Sequence, residues 1–430
     1  MKILFISKAA DGYCLAHRMA LEDNEVFFWV EEAKSKGTGK GLDNPKLVDS
    51  WNPYVKKADM IVFDMVGMGK IADTLRKAGK KVIGSGEIAD KIELDRTFGM
   101  ELVKKYTDAD VSEFHEFNKV REGIKFLTKN EDLFVFKPLD NKFNKWTYVP
   151  RHTNEDLIDF LNNFAKLHGD NNEYIFQKKV EGIEISTEGW WNGKDWILPF
   201  NHTMEVKRFM DGNKGQQTGC QGSVVWIAKE DNEIVESILR PVEDILKKSS
   251  YVGCVDVNCI VDKENIWFLE FTSRFGYSAI QTLLALREGT ITDFFCDIAS
   301  QKSEELPLKT EEYALSVRIS MPPYPHEFNM KNMKELNNIK AINYDMESDD
   351  DVESIWFSDV MFRPDGTPVL AGTDGVVCDV SGIGNTIKAA KKVVYKKIEE
   401  IVLPLDIQYR GDIGDGVQEK IEELTKMGWL

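Results

Sequence analysis

The sequence has no Cys-x-x-Cys pair; its six cysteines, Cys14, Cys220, Cys254, Cys259, Cys296 and Cys378, are scattered along the chain. That spacing suggests neither a zinc site nor a disulfide framework, so reduced thiols in a cytoplasm are expected. No run approaches the roughly 20 apolar residues that a membrane span requires. The first residues also lack the basic start and long apolar stretch of a secretory signal, and a soluble, untargeted protein is expected. Positive charge is in deficit, with 55 Lys and Arg against 72 Asp and Glu, a formal charge of −17, and no basic tract. Non-specific binding to nucleic acid or to an anionic membrane depends on clustered positive charge, and the lack of it argues against those partners. Any anionic ligand must be held by a local basic pocket.

At 430 residues the chain is too long for one compact core and has room for two or three domains. From Met1 to about Ala89 short apolar runs (KILFIS, VFFWV, MIVFDMV, KKVIGSG) alternate with helical stretches. This is the pattern of a parallel sheet with crossover helices, and residues 1–89 are expected to form a Rossmann-like domain in an α/β fold. Residues 90–303 form the largest part, with a helix beginning near Ile92, the strands LFVFKP and YIFQKKV, and further strands rich in Trp and Phe. The tail, residues 304–430, carries Pro322, Pro323 and Pro325 and ends in an amphipathic helix near Gly384 to Val402. It is expected to be a small β-rich domain. No repeat or low-complexity tract is evident.

The segment from Ile266 to Thr282, IWFLEFTSRFGYSAIQT, carries the most chemistry. Trp267, Leu269 and Phe271 alternate as in a strand, which directs Glu270, Thr272 and Arg274 to the other side or into the turn that follows. Upstream, the apolar strand YVGCVDVNCIV is interrupted by Asp256, a carboxylate that costs several kcal/mol to bury unpaired. Two facing acids would share Mg²⁺, which prefers a few hard oxygens plus substrate phosphates. The arrangement suits MgATP. The bland alternative has Asp256 in contact with water and Glu270 paired with Arg274 as a structural ion pair.

The segment LEFTSRFGYSAIQT resembles the strand-and-loop signature of ATP-grasp enzymes, in particular the phosphoribosylamine–glycine ligase family. MEVKRFMDGNKGQQTGCQG, residues 204–222, is similar to that family's HKR…D…GPNTGGMG loop. The opening strand, loop and helix and the closing stretch with its Tyr-Arg-x-Asp-Ile-Gly motif resemble the family's two ends, so essentially the whole chain is covered. The resemblance implies an ATP-grasp fold with a mobile lid over about residues 118–181. It also implies an ATP-dependent carboxylate–amine ligase with ATP and Mg²⁺ (or Mn²⁺) as cofactors, acting on small molecules as a monomer or homodimer.

Site residues follow from the matched positions. Lys137, ending the strand LFVFKP, and Arg96 are expected to reach nucleotide phosphates. Lys179 and Val180 would present backbone groups to adenine, with Glu184 a nearby acid. The loop DNKFNKWTYV stands where the family has a glycine-rich phosphate loop but contains no glycine, so Lys142 and Lys145 are expected to replace backbone cradling by side-chain charge. Glu270 is the matched metal ligand. Thr272 stands where the family has Asn; Asp256, which matches no acid of the family, is expected from its spacing to take over ligand duty beside Glu270.

Lys207, Arg208 and Arg274 match groups that face the developing acyl phosphate, where electrostatic stabilisation is typically the largest catalytic term. Asp211, Thr218 and Gly219 match the substrate loop, Asp211 as an acid that holds an amine. Tyr277, Ser278 and Ala279 replace the family's Asp-Pro-Glu. In the first loop, KAADGYCLAH, only Gly12 survives of a glycine-rich sequence expected to hold ribose phosphate, and Asp64 is a partial match nearby. His17 is expected to be a helix-face residue. The default reaction joins glycine to phosphoribosylamine in purine biosynthesis. A divergent ligase for another amino acid or amine, and a non-catalytic nucleotide-binding relic, are the alternatives.

Overall fold

The structure, a computed structural model, describes residues 1–140, 143, 146–229, 231–301, 304–325, 339–340, 342, 353–401 and 407–430. The apolar runs of the first 89 residues form β1 (Lys2–Ser7), β2 (Glu25–Val30), β3 (Lys46–Leu47), β4 (Met60–Phe63) and β5 (Val82–Ile83), a parallel sheet in the order β3-β2-β1-β4-β5. Their near-continuous hydrophobicity reflects burial of both faces. Helix α1 (Tyr13–Leu21) covers one face and α2 (Gly69–Lys77) follows β4.

The helix expected near Ile92 begins earlier, as α3 (Glu87–Leu94), and is followed directly by α4 (Arg96–Tyr106). Asp95 separates the two: it takes extended geometry and its carboxylate accepts the Phe98 N–H at 2.9 Å, an N-cap that starts α4 afresh. Arg96 therefore stands in the first turn of α4.

A three-stranded antiparallel sheet, β6 (Phe114–Lys119), β7 (Phe134–Pro138) and β8 (Asn171–Lys178) in the order β6-β8-β7, carries helices α5 (Val120–Leu127) and α6 (Asn154–His168). Phe134, Phe136, Tyr174, Phe176, Leu157, Leu161 and Phe164 form its own core, separate from the main one.

The largest element is an eight-stranded sheet in the order β15-β14-β9-β10-β13-β16-β20-β17. It contains β9 (Ile183–Trp191), β10 (Trp196–Glu205), β13 (Gly222–Ile227), β14 (Gly253–Val261) and β15 (Ile266–Thr272). The tail's strands β16 (Tyr313–Ser320), β17 (Ile355–Phe357) and β20 (Val376–Gly384) extend this same sheet, because β16 pairs with β13. Two ribbons, β11 (Arg208–Met210) with β12 (Lys214–Gln217) and β18 (Val360–Phe362) with β19 (Pro368–Leu370), stand apart from it. Helices α7 (Ala279–Ala285), α8 (Ile291–Ser300), α9 (Ile387–Ile401) and α10 (Val417–Met427) complete the chain. No described helix is long and apolar enough to cross a membrane.

The tail also packs on α1 of the parallel sheet. His17 is buried in α1, stacked on Phe362 at 5.7 Å and edge-on to Phe357, and Arg18 lies 4.7 Å over the Trp356 ring. Burial pushes the His17 imidazole down to about 4, so it packs as a neutral ring.

Candidate active site

A cavity of about 450 Å³ lies between the three-stranded sheet and the eight-stranded one. Its floor follows from strand register. Side chains of directly paired residues share a face, and Asp256 pairs with both Thr272 and Glu188, while Asn258 pairs with both Glu270 and Ser186. On the far side of β9, Ser186 opposes Thr203 and Glu188 opposes Asn201. One face of four adjacent strands is thus polar, and the opposite face is core.

The alternation expected in β15 slips. Ile266, Phe268 and Phe271 are the buried residues rather than Trp267, Leu269 and Phe271, because a bulge between β14 and β15 near Cys259 shifts the register. The bulge still leaves Glu270 and Thr272 on the cavity side.

Glu270 accepts a hydrogen bond from Arg96 Nη1 at 3.2 Å. Burial opposes its ionisation, but the charges of Arg96, Lys207 and Lys137 outweigh this and hold the carboxyl down at about 2. Lys137, only 8 % exposed, sends its Nζ across from β7 to the Leu269 carbonyl at 3.4 Å. Burial, reinforced by the Arg96 charge, lowers its ammonium to about 8. Lys207 lies 3.0 Å from Glu184 and 3.6 Å from Glu205; burial favours its neutral form, yet these acids and Glu270 raise it well above the ordinary lysine range. A cavity that brings three cations to ionised Glu270 is prepared for a polyanion plus a cation.

Arg274 is held from behind. Glu93 of α3 accepts its Nε–H at 3.0 Å and the Ser273 backbone N–H at 2.8 Å, and the guanidinium lies 4.7 Å from the Tyr277 ring centroid. The Glu270–Arg274 ion pair of the bland alternative does not form: Glu270 pairs with Arg96 and Arg274 with Glu93.

Asp256 and Glu270 are diagonal rather than directly opposed. Burial and the neighbouring Glu188 and Glu205 charges raise the Asp256 carboxyl well above its usual range. Its Oδ1, like that of Asn258, has no hydrogen-bond partner, while Ser186 Oγ lies 3.4 Å from its other oxygen. Glu270, Thr272, Asp256 and Asn258 offer the hard oxygens that Mg²⁺ accepts, so the donor set fits that ion. Among the described residues no group of three or more His, Cys, Asp or Glu could hold a metal by itself. A site completed by phosphate oxygens is consistent with that.

The cavity brings together Arg96, Lys137, Lys179, Val180, Glu184, Lys207, Thr218, Gly219, Asp256, Glu270, Thr272 and Arg274 of the expected residues. Others lie elsewhere. Arg208 donates to the Gly215 carbonyl at 2.9 Å and lines a neighbouring cavity of about 1020 Å³ with Trp146, Tyr148, Arg151 and Tyr324. Asp211, expected to hold an amine, instead accepts the Gly411 N–H at 3.0 Å. It shares this tether with Arg410, which donates to the Arg208 carbonyl at 2.7 Å and to Asp412, so the closing Tyr-Arg-x-Asp-Ile-Gly motif anchors the loop. Gly12 and Asp64 pair with each other at the end of the parallel sheet, outside the main cavity. Lys142 and Lys145 lie outside the described residues.

Sequence reasoning missed Glu93, Glu205 and Asn258, all of which line the cavity. Asn258 was open to discovery, since it sits two residues after Asp256 and so shares its face. Glu205 stands likewise two residues before Lys207. Glu93 carried no local signal.

The fold and this cavity define an ATP-grasp protein. A family model described as phosphoribosylglycinamide synthetase, ATP-grasp (A) domain, matches residues 94–279. The phosphoribosylamine–glycine ligase of Caldanaerobacter subterraneus subsp. tengcongensis is 26% identical over 355 residues, covering 80% of this chain and 81% of that protein. The Methanocaldococcus jannaschii enzyme of the same name is 22% identical over 458 residues, covering 99% and 100%. Among solved structures, Thermotoga maritima phosphoribosylamine–glycine ligase superposes with a TM-score of 0.71 at 19% identity, over 96% of this chain and 100% of that one. The Hydrogenobacter thermophilus 2-oxoglutarate carboxylase biotin carboxylase domain superposes at 0.63 and 12% identity, over 99% and 98%. These structural likenesses establish the fold. The family match covers the ATP-grasp domain, and over most of its length the chain is similar to phosphoribosylamine–glycine ligases.

Proposed function

We propose that this chain is an ATP-dependent carboxylate–amine ligase of the phosphoribosylamine–glycine ligase type. The observation that carries the proposal is the convergence of Arg96, Lys137 and Lys207 on ionised Glu270 in one cavity between two sheets. A carboxylate oxygen attacks the γ-phosphorus of ATP and ADP leaves. The amine nitrogen then attacks the acyl carbon; the C–N bond forms as the carbon–oxygen bond to phosphate breaks, and phosphate departs with the amine proton delivered to it or to solvent. No nucleophilic side chain is required; positioning and charge neutralisation suffice.

Lys137 and Arg96 face the nucleotide phosphates, and Lys179 and Val180 border the adenine end. Lys207 and Arg274 serve the oxygen being transferred. Glu270 and Thr272, with Asp256 behind them, would hold Mg²⁺. When bound, the ion supplies charge neutralisation between phosphate oxygens. We assign residues 1–89, 90–303 and 304–430 as three units, the third continuing the large sheet through the β13–β16 pairing, with about 118–181 as the lid. The six unpaired cysteines support a reducing, cytoplasmic compartment.

The relatives' name supplies glycine and phosphoribosylamine, and with them purine biosynthesis, as the reference pair. A different amine is a second reading, favoured by the Gly12 N–H, which Asp64 already occupies at 2.7 Å. ADP release from MgATP with a panel of amino acids, with and without freshly generated phosphoribosylamine, tests both. Release that needs glycine and phosphoribosylamine supports the reference pair. Release with another pair supports the second reading, and release with none removes the ligase proposal.

A further inference from the structure

In open parallel sheets, ligands bind outside the carboxyl ends of the strands where the strand order reverses. Here that point lies between β1 and β4, whose following loops carry Asp11 and Asp64. A helix N-terminus beside such a crevice is ordinarily an anion site, because its backbone N–H groups are free. Ahead of α1, the N–H groups of the loop and of the first helical residue are engaged. Ser7 Oγ takes the Ala10 N–H at 2.8 Å, the Ala10 carbonyl takes that of Tyr13 at 3.0 Å, and Asp64 Oδ2 takes that of Gly12 at 2.7 Å. A Cβ on Gly12 would stand 2.7 Å from the Asp64 Cβ, so the approach leaves no room between them.

The opposite wall repeats the pattern. The successive N–H groups of Thr373, Asp374 and Gly375 all point at Asp359 Oδ2, at 2.7, 2.9 and 3.0 Å. Both backbone nests are therefore filled by the chain's own buried carboxylates. The exposed acids Asp11 and Asp374 are close enough to feel each other's charge. Of the nearby cations, Arg274 pairs with Glu93 at 3.0 Å, Arg318 with Asp379 at 3.4 Å and Lys34 with Glu32 at 3.3 Å, while Lys8 of the same loop is exposed. Asp64 is 3 % exposed, and its Oδ1 has no hydrogen-bond partner.

We infer that the crevice between β1 and β4 receives a cationic, unphosphorylated amine, the second substrate of the ligase proposed above. Asp11 and Asp374 hold its ammonium end, and its reacting end reaches the main cavity past Arg274 and Tyr277, which line that cavity. The inference rests on the ligase reading, and its test separates the two. Hydroxylamine trapping with MgATP and each amino acid reports acyl phosphate formation whatever the natural amine. Calorimetric titration with 1,4-diaminobutane and with ribose 5-phosphate probes the crevice directly.

The inference expects hydroxamate, saturable diamine binding, and no ribose 5-phosphate binding at millimolar concentration. It also expects Asp11→Asn and Asp374→Asn each to weaken diamine binding about tenfold, the effect of one lost charge-assisted contact. Hydroxamate together with ribose 5-phosphate binding and no diamine binding overturns the inference and leaves the ligase standing. Diamine binding that neither substitution weakens overturns it as well. Absence of hydroxamate with every amino acid overturns the ligase reading and, with it, a substrate role for the crevice.

Discussion

Arg96, in the first turn of α4, and Glu270, in β15, meet at 3.2 Å although 174 residues separate them in sequence. The contact ties the helical layer to the polar face of the large sheet and keeps the carboxylate ionised where an acid would otherwise be driven neutral by burial.

Glu270→Gln keeps the shape and removes the charge. Turnover is expected to fall at least about a hundredfold, on the scale of losing one preorganised electrostatic group. The circular dichroism spectrum is expected to stay unchanged. ADP release across a Mg²⁺ titration checks it, and an unchanged rate would remove Glu270 from the metal assignment.

Lys137 gives the site a pH limit. Its ammonium is held down to about 8, so the charge facing the nucleotide is present below that pH and lost above it. The kcat/KM for ATP is expected to fall as pH rises through about 8. In Lys137→Arg that limb moves beyond the accessible range, because guanidinium stays protonated. A pH profile of both proteins decides the point.

Glu93 acts through Arg274. Glu93→Gln loses the ionic acceptor for Arg274 and weakens the hold on Ser273, and about 2 kcal/mol of stability is expected to go with charged hydrogen bonds of this kind. A positioning role predicts that kcat falls more than KM for ATP rises. Urea melts and steady-state kinetics read the two effects separately.

Asp64 makes stability depend on pH. Burial, then the Asp11 charge, raises its carboxyl from 3.8 to about 7. Between those values the folded protein holds a proton that the unfolded chain has released, so this group's contribution to stability declines as pH rises from about 4 to about 7. Asp64→Asn retains an oxygen for the Gly12 N–H and is expected to flatten that decline. Thermal melts from pH 4 to 8 measure it.

The parallel sheet and the polar strand β15 were legible because hydrophobic runs and period-two patterns are local properties. The start of α4 was readable in principle from Asp95, whose carboxylate caps the helix. The slip in β15 was not readable, since a bulge is a relation between two strands. Long-range partners were also hidden. Nothing near Glu93 indicates Arg274, 181 residues away, and nothing near Asp211 indicates that Gly411 takes its carboxylate. The resemblance pointed to Arg96, Lys137, Lys207, Glu270 and Arg274, which the fold brings to one cavity. A carboxylate that tethers backbone, as Asp211 does, and one that binds an amine look alike in sequence.

The most direct test of the central claim follows one oxygen atom. With carboxyl-¹⁸O amino acid, MgATP and an accepted amine, the released phosphate is examined by ³¹P NMR for the shift that ¹⁸O produces. Transfer through an acyl phosphate predicts one ¹⁸O in each phosphate released during amide formation. Phosphate without ¹⁸O, or release that needs no carboxylate, would contradict the account.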